Sequence, residues 1–228
     1  NLDSKELEKE ISKDAGETSF YLEKDRKYRD EEKDVVLVQI QDRFQIASVS
    51  LALGRMGVDF LLINSKWSTG EIDTLLTHTV SRLVITDNQE LTALEERGIE
   101  VIYLSEIEIP ENEEAHEKEI QLSGQVLMCT TGTTGEPKIV ARTWDAVFHE
   151  VDAVVKRLQY TQNDRIFCLA QWTHSLGFVV NFLSGLRVGA RLIAMPELST
   201  PANWVRTIDR EGATVVIGVP TFYSFLVQ

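Results

Sequence analysis

One short segment combines glycine, threonine and lysine in a pattern suited to binding a ligand. It is Thr130-Thr131-Gly132-Thr133-Thr134-Gly135-Glu136-Pro137-Lys138. Its two glycines let backbone amides approach a ligand closely, and its four threonines supply hydroxyl donors. Lys138 adds a compact positive charge that can follow a polyphosphate. Donors of these kinds favour an anion with many acceptor oxygens, so the segment predicts a phosphate-binding loop.

Two alternative interpretations of this loop follow from the residues alone. It is not a Walker A loop, because Glu136-Pro137 precedes the lysine and the loop does not open into a helix. A surface turn is one alternative, since Gly, Thr and Pro are common in turns. An unrelated phosphotransferase is another, and it would need an acidic residue at a strand end. Asp87 is the only obvious candidate, and its surroundings favour a helix cap.

A second candidate segment is Gln171-Trp172-Thr173-His174-Ser175-Leu176-Gly177, which follows a predicted strand and enters a helix predicted over Ser175–Gly189. Open α/β sheets bind ligands at the carboxyl ends of their strands, so His174 is a candidate for a substrate pocket. His174 can equally cap the next helix. Trp172 can line the same pocket, although an ordinary packing role suits an aromatic residue as well.

The remaining residues of chemical interest are not expected to form a site. Cys129 and Cys168 fall in predicted strands, where they behave as small buried hydrophobes. A nucleophilic Cys–His pair is less favoured, because no orienting acid can be named. His78, His116 and His149 lie on predicted helix surfaces or in an acidic stretch, without metal-ligand spacing. No metal site is therefore predicted within the chain.

The elements that must position these residues alternate between strand and helix. Short apolar runs typical of buried strands alternate with segments of helical spacing. Predicted helix ends are the C-cap Gly57, the capping box Ser68-Thr69-Gly70-Glu71, the N-cap Asp87 of a helix over 88–97, and Thr200-Pro201 at the start of a later helix. The alternation predicts an α/β fold with mostly parallel sheets and helices on both faces.

Composition limits the classes of function. The chain has 228 residues, of which 43% are hydrophobic and 26% charged, as in ordinary globular proteins. No apolar run approaches the roughly 18 residues that a membrane helix needs, and no secretory signal is visible. The net charge of −13 makes nucleic acid an unfavourable partner. Two cysteines cannot make a disulfide framework, so a cytoplasmic protein with reduced thiols is expected.

Charge and pattern divide the chain into four predicted regions. Residues 1–34 are a charged lead-in, 35–105 a first α/β unit, 106–120 an acidic loop, and 121–228 a second α/β unit that carries the phosphate loop. The acidic stretch from Glu106 to Glu119 holds seven Glu against one Lys, as an exposed loop would. An apolar helix predicted from Pro220 has no C-cap before Gln228, so we expect the natural chain to continue.

The loop resembles the phosphate-binding loop of the acyl-adenylate-forming enzymes, which include acyl-CoA synthetases and AMP-dependent ligases. Their pattern is T-S-G-T-T-G-x-P-K-G, and the matching residues here are Thr130, Gly132, Thr133, Thr134, Gly135, Pro137 and Lys138. Thr131 replaces a serine, Ile139 replaces the usual glycine, and Thr143-Trp144 stands where many members have T-H. The segments 53–64, 81–87 and 219–221 also resemble family segments. The resemblance covers the chain from about Val35 onward.

The resemblance implies an incomplete N-terminal domain of an adenylate-forming enzyme. In that family a carboxylate attacks the α-phosphate of Mg-ATP, and a thiol of coenzyme A or pantetheine then takes the acyl group. By resemblance, Thr130, Thr131, Gly132, Thr133, Thr134 and Gly135 hold the ATP phosphates. Lys138 has the catalytic role of neutralising charge as pyrophosphate leaves. His174 resembles the family's aromatic-or-histidine position beside the acyl pocket for the carboxylic acid substrate, and Trp172 can line the same pocket.

Family motifs for the metal and the ribose are not found before Gln228. The Y-G-x-T-E acid that helps to hold Mg²⁺, the ribose-binding Asp and the late catalytic Lys are all expected further along. We therefore expect the fragment alone to be inactive. A non-catalytic truncated paralogue that binds a nucleotide or a partner protein is the alternative. The residues indicate neither which acid is activated nor the oligomeric state.

Overall fold

A computed structural model describes residues 35–79, 81–89, 91–107, 121–131, 137–196 and 199–226. The chain divides after Trp144 into two compact units. Strands and helices alternate in each unit, which confirms the α/β class predicted from the sequence. None of the helices within these ranges is long and apolar enough to cross a membrane.

The first unit is built on a sheet to which the described residues contribute six strands. The strands are β1 (Val36–Gln39), β2 (Phe60–Leu62), β3 (Leu83–Thr86), β4 (Glu100–Tyr103), β5 (Gln125–Thr131) and β6 (Pro137–Thr143). The helices are α1 (Arg43–Met56), α2 (Thr69–His78) and α3 (Thr92–Glu95), with a 3-10 turn over Leu104–Glu106. The sheet order is β4-β3-β1-β2-β5-β6. Strands β1 to β5 pair in parallel, and only β6 is antiparallel to its neighbour.

Local sequence signals account for the helix ends of this unit. Asp42 caps α1 by accepting a hydrogen bond from the Gln45 amide (2.9 Å), and Gly57 ends the helix at a φ of 71°. That left-handed conformation suits glycine, as predicted. The capping box at the start of α2 is also confirmed, because Ser68 and Glu71 exchange both of its hydrogen bonds. These two ends fix where β2 begins and where the chain leaves it.

The predicted role of Asp87 as the cap of a helix over 88–97 is wrong. Only Thr92–Glu95 is helical in that segment. Asp87 Oδ2 instead accepts hydrogen bonds from the backbone amides of Gln41 (2.8 Å) and Asp42 (3.1 Å), just before α1. A partner about 45 residues away satisfied this carboxylate, and a local capping rule does not see such a partner.

The second unit is built on a smaller parallel sheet. Its strands are β7 (Arg165–Cys168), β8 (Arg191–Ala194) and β9 (Val215–Ile217), in the order β8-β7-β9. Its helices are α4 (Trp144–Leu158, beginning at the boundary), α5 (Ser184–Val188), α6 (Pro201–Glu211) and α7 (Pro220–Leu226). Thr200 caps α6, with Pro201 in its first turn, as predicted.

The helix predicted over 175–189 differs from a regular α-helix. Leu176–Leu183 is π-helical and continues into α5, which Gly189 ends at a φ of 72°. The backbone amide of Ser184 donates to the carbonyl of Val179, five residues back as in a π-helix, and the Ser184 hydroxyl donates to the same carbonyl (2.7 Å). Such segments are frequent at functional sites.

The strands that flank the threonine-rich loop lie in the first unit. The charge pattern predicts that this loop belongs with the elements after residue 121, whereas β5 pairs with β2 over Phe60↔Val126 to Leu62↔Met128. The apolar run of β5 completes the buried sheet of the first unit. The region boundaries of the full chain, including 1–34 and the part of 106–120 outside the described residues, stay predictions.

Candidate active site

The threonine-rich segment is carried on an antiparallel hairpin at one end of the parallel sheet. Strands β5 and β6 pair from Gln125↔Thr143 to Thr131↔Pro137. Strand β2 pairs with β5 only as far as Met128. The three residues Cys129–Thr131 therefore extend beyond the end of β2, at the carboxyl edge of the parallel strands. Ligands of open α/β sheets bind at this edge.

Alternate residues of the hairpin point to opposite faces of the sheet. Leu127, Cys129 and Ile139 pack on the apolar cluster of the first unit. Thr130 and Lys138, which lie directly opposite each other, project to the other face, and both are exposed. Directly opposed residues on one face have Cβ atoms about 5 Å apart. The hydroxyl and the ammonium group can therefore reach the same ligand.

Thr130 is held in place by its own hairpin. Its Oγ1 donates to the carbonyl oxygen of Lys138 (3.3 Å). Among the described residues, Lys138 has no carboxylate within ion-pair distance. Within that part of the chain, the Lys138 ammonium group is therefore available to an anion. Gly132, Thr133, Thr134 and Gly135 lie outside the described residues, and Thr131 is described only as the last residue of β5.

Two polar residues at the same sheet edge organise the neighbouring loops. Gln39, fully buried at the end of β1, donates through Nε2 to the carbonyls of Ser65 (3.3 Å) and Trp67 (2.9 Å). Asp87, after β3, fixes the turn that leads into α1. Gln39 is not among the residues predicted from the sequence, although a glutamine inside the apolar run VVLVQI is a detectable signal. Both residues hold backbone at the carboxyl edge.

The second candidate segment follows β7 and turns sharply before the π-helical stretch. The His174 amide donates to the Gln171 carbonyl (3.2 Å), and the His174 carbonyl accepts from Phe178 (2.9 Å). The turn requires glycine at position 177, because an added Cβ would overlap the Gln171 carbonyl. The His174 side chain is exposed, whereas Trp172 is 4% exposed and stacks on Phe182 with ring centroids 4.3 Å apart.

The π-helical stretch holds a buried amide that the sequence analysis missed. Asn181 is fully buried, and neither of its amide atoms has a hydrogen-bond partner among the described residues. The hydroxyl of Thr173, also buried, has none there either. Buried polar groups are normally satisfied, so such atoms indicate a place for water or a ligand. An asparagine inside the apolar run FVVNFL is the signal in the sequence.

The two cysteines are buried or half-buried, and two of the remaining histidines bond to carbonyls of their own helices. Burial raises the pKa of the Cys129 thiol to about 11, so it is a poor nucleophile. Cys168 is fully buried, as expected for a small hydrophobe. His78 and His149 each place Nδ1 near the carbonyl four residues earlier on their helices. His116 lies outside the described residues.

Comparison with known proteins places this fold and loop in one family. The AMP-binding enzyme family matches residues 25–228. The mitochondrial malonate–CoA ligase of Bos taurus is 32% identical over 129 residues, which are 56% of this chain and 22% of the relative. The 2-succinylbenzoate–CoA ligase of Bacillus subtilis is 26% identical over 200 residues, which are 86% of this chain and 40% of the relative. The chain thus spans less than half the length of these relatives.

Solved structures show the same fold. The O-succinylbenzoate coenzyme A synthetase of Bacillus subtilis in complex with AMP superposes with a TM-score of 0.78 at 24% identity. The match covers 97% of this chain and 56% of that one. ATP-bound MatB from Rhodopseudomonas palustris superposes with a TM-score of 0.77 at 22% identity, over 96% of this chain and 45% of that one.

The fold is therefore that of the N-terminal part of an adenylate-forming enzyme. The chain belongs to the AMP-binding enzyme family, and the two relatives described above are acyl-CoA ligases. This confirms the resemblance drawn from the threonine-rich loop.

Proposed function

We propose that the natural protein that contains this chain activates a carboxylic acid with ATP and transfers the acyl group to a thiol, with coenzyme A as the first candidate. The observation that carries the proposal is the Thr130–Lys138 pair on the exposed face of the hairpin. It lies at the carboxyl edge of the sheet, within a family named for AMP binding.

The donors present fit a polyphosphate. Thr130 offers a hydroxyl, Lys138 a positive charge without a carboxylate partner among the described residues, and the glycines allow close approach of backbone amides. In this proposal Thr130, Thr131 and the amides of 132–135 hold the β- and γ-phosphates. Lys138 stabilises the charge that grows on the leaving pyrophosphate. The Mg²⁺ carried with ATP would add charge neutralisation there, and its main protein ligand is expected outside residues 1–228.

The chemistry joins two anions, which is why such donors are needed. A carboxylate oxygen attacks the α-phosphorus while the bond from that phosphorus to the pyrophosphate oxygen breaks. The thiol sulfur then attacks the acyl carbon, its proton leaves, and AMP departs with the former carboxylate oxygen. Donors that are preorganised around the phosphates lower the barrier to the first step.

The acid is proposed to bind beside the segment after β7. His174 is exposed there, and Trp172 forms a rigid aromatic wall stacked on Phe182. The unsatisfied amide of Asn181 adds a polar group that an acid with a second polar function could use. The relatives named above act on malonate and 2-succinylbenzoate, so these two acids head the panel to be tested.

The 228-residue chain alone is proposed not to complete the adenylation step. It spans 22% and 40% of the two ligases described above, and the family motifs for the metal and the ribose do not occur within it. The expected cytoplasmic location likewise stays a prediction, since one relative is named as mitochondrial.

Acid-dependent exchange of labelled pyrophosphate into ATP tests the proposal. The natural protein is assayed with malonate, 2-succinylbenzoate, fatty acids and aromatic acids. We expect exchange with one class, and a loss of about 10²- to 10³-fold in Lys138→Ala, as when one charge-stabilising donor is removed. Lys156→Ala, an exposed lysine on α4, is the matched control and keeps full activity.

Two outcomes would contradict parts of the proposal. ATP binding without exchange for any acid would favour the non-catalytic nucleotide-binding alternative. Acid-dependent exchange by the isolated 228-residue chain, abolished in Lys138→Ala, would show that the fragment is active and that further segments are unnecessary.

A further inference from the structure

A cavity of about 440 Å³ lies at the carboxyl end of β8, within the second unit. It is lined by Met195, Pro196, Ser199, Asn203, Arg206, Thr207 and Arg210. The volume lies in the range of about 300 to 1,000 Å³ that is typical of small-molecule sites. The cavity shares no residue with the hairpin or with the Gln171–Gly177 segment.

One face of α6 supplies the polar wall of this cavity. Asn203, Arg206, Thr207 and Arg210 are spaced i, i+3, i+4 and i+7, which puts them on a single helical stripe. The other side of the helix is apolar, where Trp204 and Ile208 pack on the core of the second unit. The packing of Trp204 and Ile208 on the core therefore holds the polar face of α6 toward the cavity.

The two arginines give the cavity a positive charge. Arg210 donates through Nε to Glu211 Oε1 (2.9 Å), and Arg191 donates to Glu211 Oε2 (2.9 Å), so Glu211 is shared. No ion pair among the described residues includes Arg206. None of the described lining residues is acidic. Among the described lining residues the charged groups are Arg206 and Arg210, and two guanidinium groups at one cavity favour an anion.

The remaining lining groups match a phosphate better than a single carboxylate. Ser199, Asn203 and Thr207 each carry a side-chain donor, and arginine forks bind phosphate oxygens in pairs. The Trp204 indole Nε1 donates a hydrogen bond to Ser199 Oγ (2.7 Å). The NMR resonance of this indole N–H should therefore respond to a ligand that contacts Ser199.

We propose that this cavity binds a phosphate-bearing small molecule, held by Arg206 and Arg210 with Ser199, Asn203 and Thr207 as further donors. The ligand is either an inorganic phosphate or the phosphate group of a nucleotide. This site is additional to the ATP phosphate site proposed on the hairpin.

The test follows the Trp204 indole resonance in a ¹H–¹⁵N NMR titration with inorganic pyrophosphate and, separately, ADP. The resonance is assigned with Trp204→Phe. The variants are Arg206→Gln/Arg210→Gln for the cavity and Lys138→Ala for the hairpin. The control Lys156→Gln/Arg157→Gln removes the same charge from exposed positions on α4.

We expect a saturable shift of the Trp204 resonance that Lys138→Ala and the α4 control retain. Loss of two charge-assisted contacts should weaken Kd at least about tenfold in the cavity variant, and lysines at both positions should restore part of it. Tighter binding of ADP than of pyrophosphate would identify a nucleotide as the ligand of the cavity. Equal Kd values would show that the cavity recognises the phosphate groups alone. No shift, an unchanged Kd in the cavity variant, or loss of the shift in Lys138→Ala would overturn the proposal.

Discussion

The two candidate segments are supported by their units in different ways. In the first unit, the candidate phosphate-binding side chains of Thr130 and Lys138 are exposed near the tip of a hairpin. The sheet beneath them is buried at every residue of β1, β2 and β3. In the second unit, Trp172 and Asn181 are themselves part of the buried core.

Because of this difference, a substitution in the candidate site of the first unit should leave stability unchanged. In the second unit a substitution in the candidate pocket should also change stability. A substitution of Lys138 on the hairpin changes the candidate phosphate site and leaves the packed sheet intact. A substitution at Trp172 or Asn181 changes the candidate pocket and the core together. Exposed apolar side chains such as Val219 (55% exposed) and Phe225 (45% exposed) show that the second unit also buries its apolar surface less completely.

The largest effect on stability is expected for Trp172→Ala. It removes an indole stacked on Phe182 and should lower the free energy of unfolding by about 3 to 5 kcal/mol. Lys138→Ala should change it by less than about 0.5 kcal/mol, because the side chain is exposed. Urea unfolding of both variants measures the contrast, and similar losses in the two would remove the distinction between the units.

The next largest effect is expected for Gly177→Ala. The new Cβ would overlap the Gln171 carbonyl and lie 2.6 Å from its carbon, so backbone must move. We expect a loss of about 3 kcal/mol, at the upper end for overpacking. Gly70→Ala in α2 is the control, because no atom lies within 4 Å of the added Cβ. It should raise stability by about 0.5 to 1 kcal/mol. A Gly177→Ala protein as stable as the wild type would contradict the tight turn before the π-helical stretch.

The smallest effect concerns the capping box of α2 and its pH dependence. Hydrogen bonds from the backbone and hydroxyl of Ser68 hold the pKa of Glu71 below its usual 4.5. Because the folded pKa is the lower one, this stabilisation is complete above the unfolded pKa. It is lost as pH falls through the folded value.

Ser68→Ala should therefore cost about 1 kcal/mol at pH 7 and less at pH 3. Unfolding curves at both pH values give the difference between wild type and variant. Glu96→Gln, an exposed carboxylate after α3, controls for the charge itself. A difference that stays constant down to pH 3 would show that the Glu71 carboxylate is not part of the cap.

Much of the fold could be predicted because its determinants are local. The capping box at Ser68, the left-handed Gly57 and the start of α6 at Thr200-Pro201 need only a few neighbouring residues, and all three are confirmed. Asp87 was assigned wrongly because its partners lie far away in the chain. The π-helical stretch is defined by backbone hydrogen bonds five residues apart, which the spacing of apolar residues does not distinguish from an α-helix.

The threonine-rich loop of the candidate site could be predicted from the sequence, whereas the buried polar residues Gln39 and Asn181 were not predicted. The spacing of threonine, glycine and lysine carries the family resemblance that the comparison confirms. Gln39 and Asn181 were overlooked because each stands inside an apolar run, where packing dominates the pattern. The roles of Lys138, Thr130, His174 and Trp172 stay predictions.

The most direct test of the central claim is the Kd for ATP of three proteins: wild type, Lys138→Ala and Lys156→Ala. If the hairpin holds the phosphates, Lys138→Ala should weaken binding by about tenfold or more, as for loss of one charge-assisted contact. Lys156→Ala should match the wild type. An unchanged Kd in Lys138→Ala would contradict the assignment of the phosphates to this hairpin.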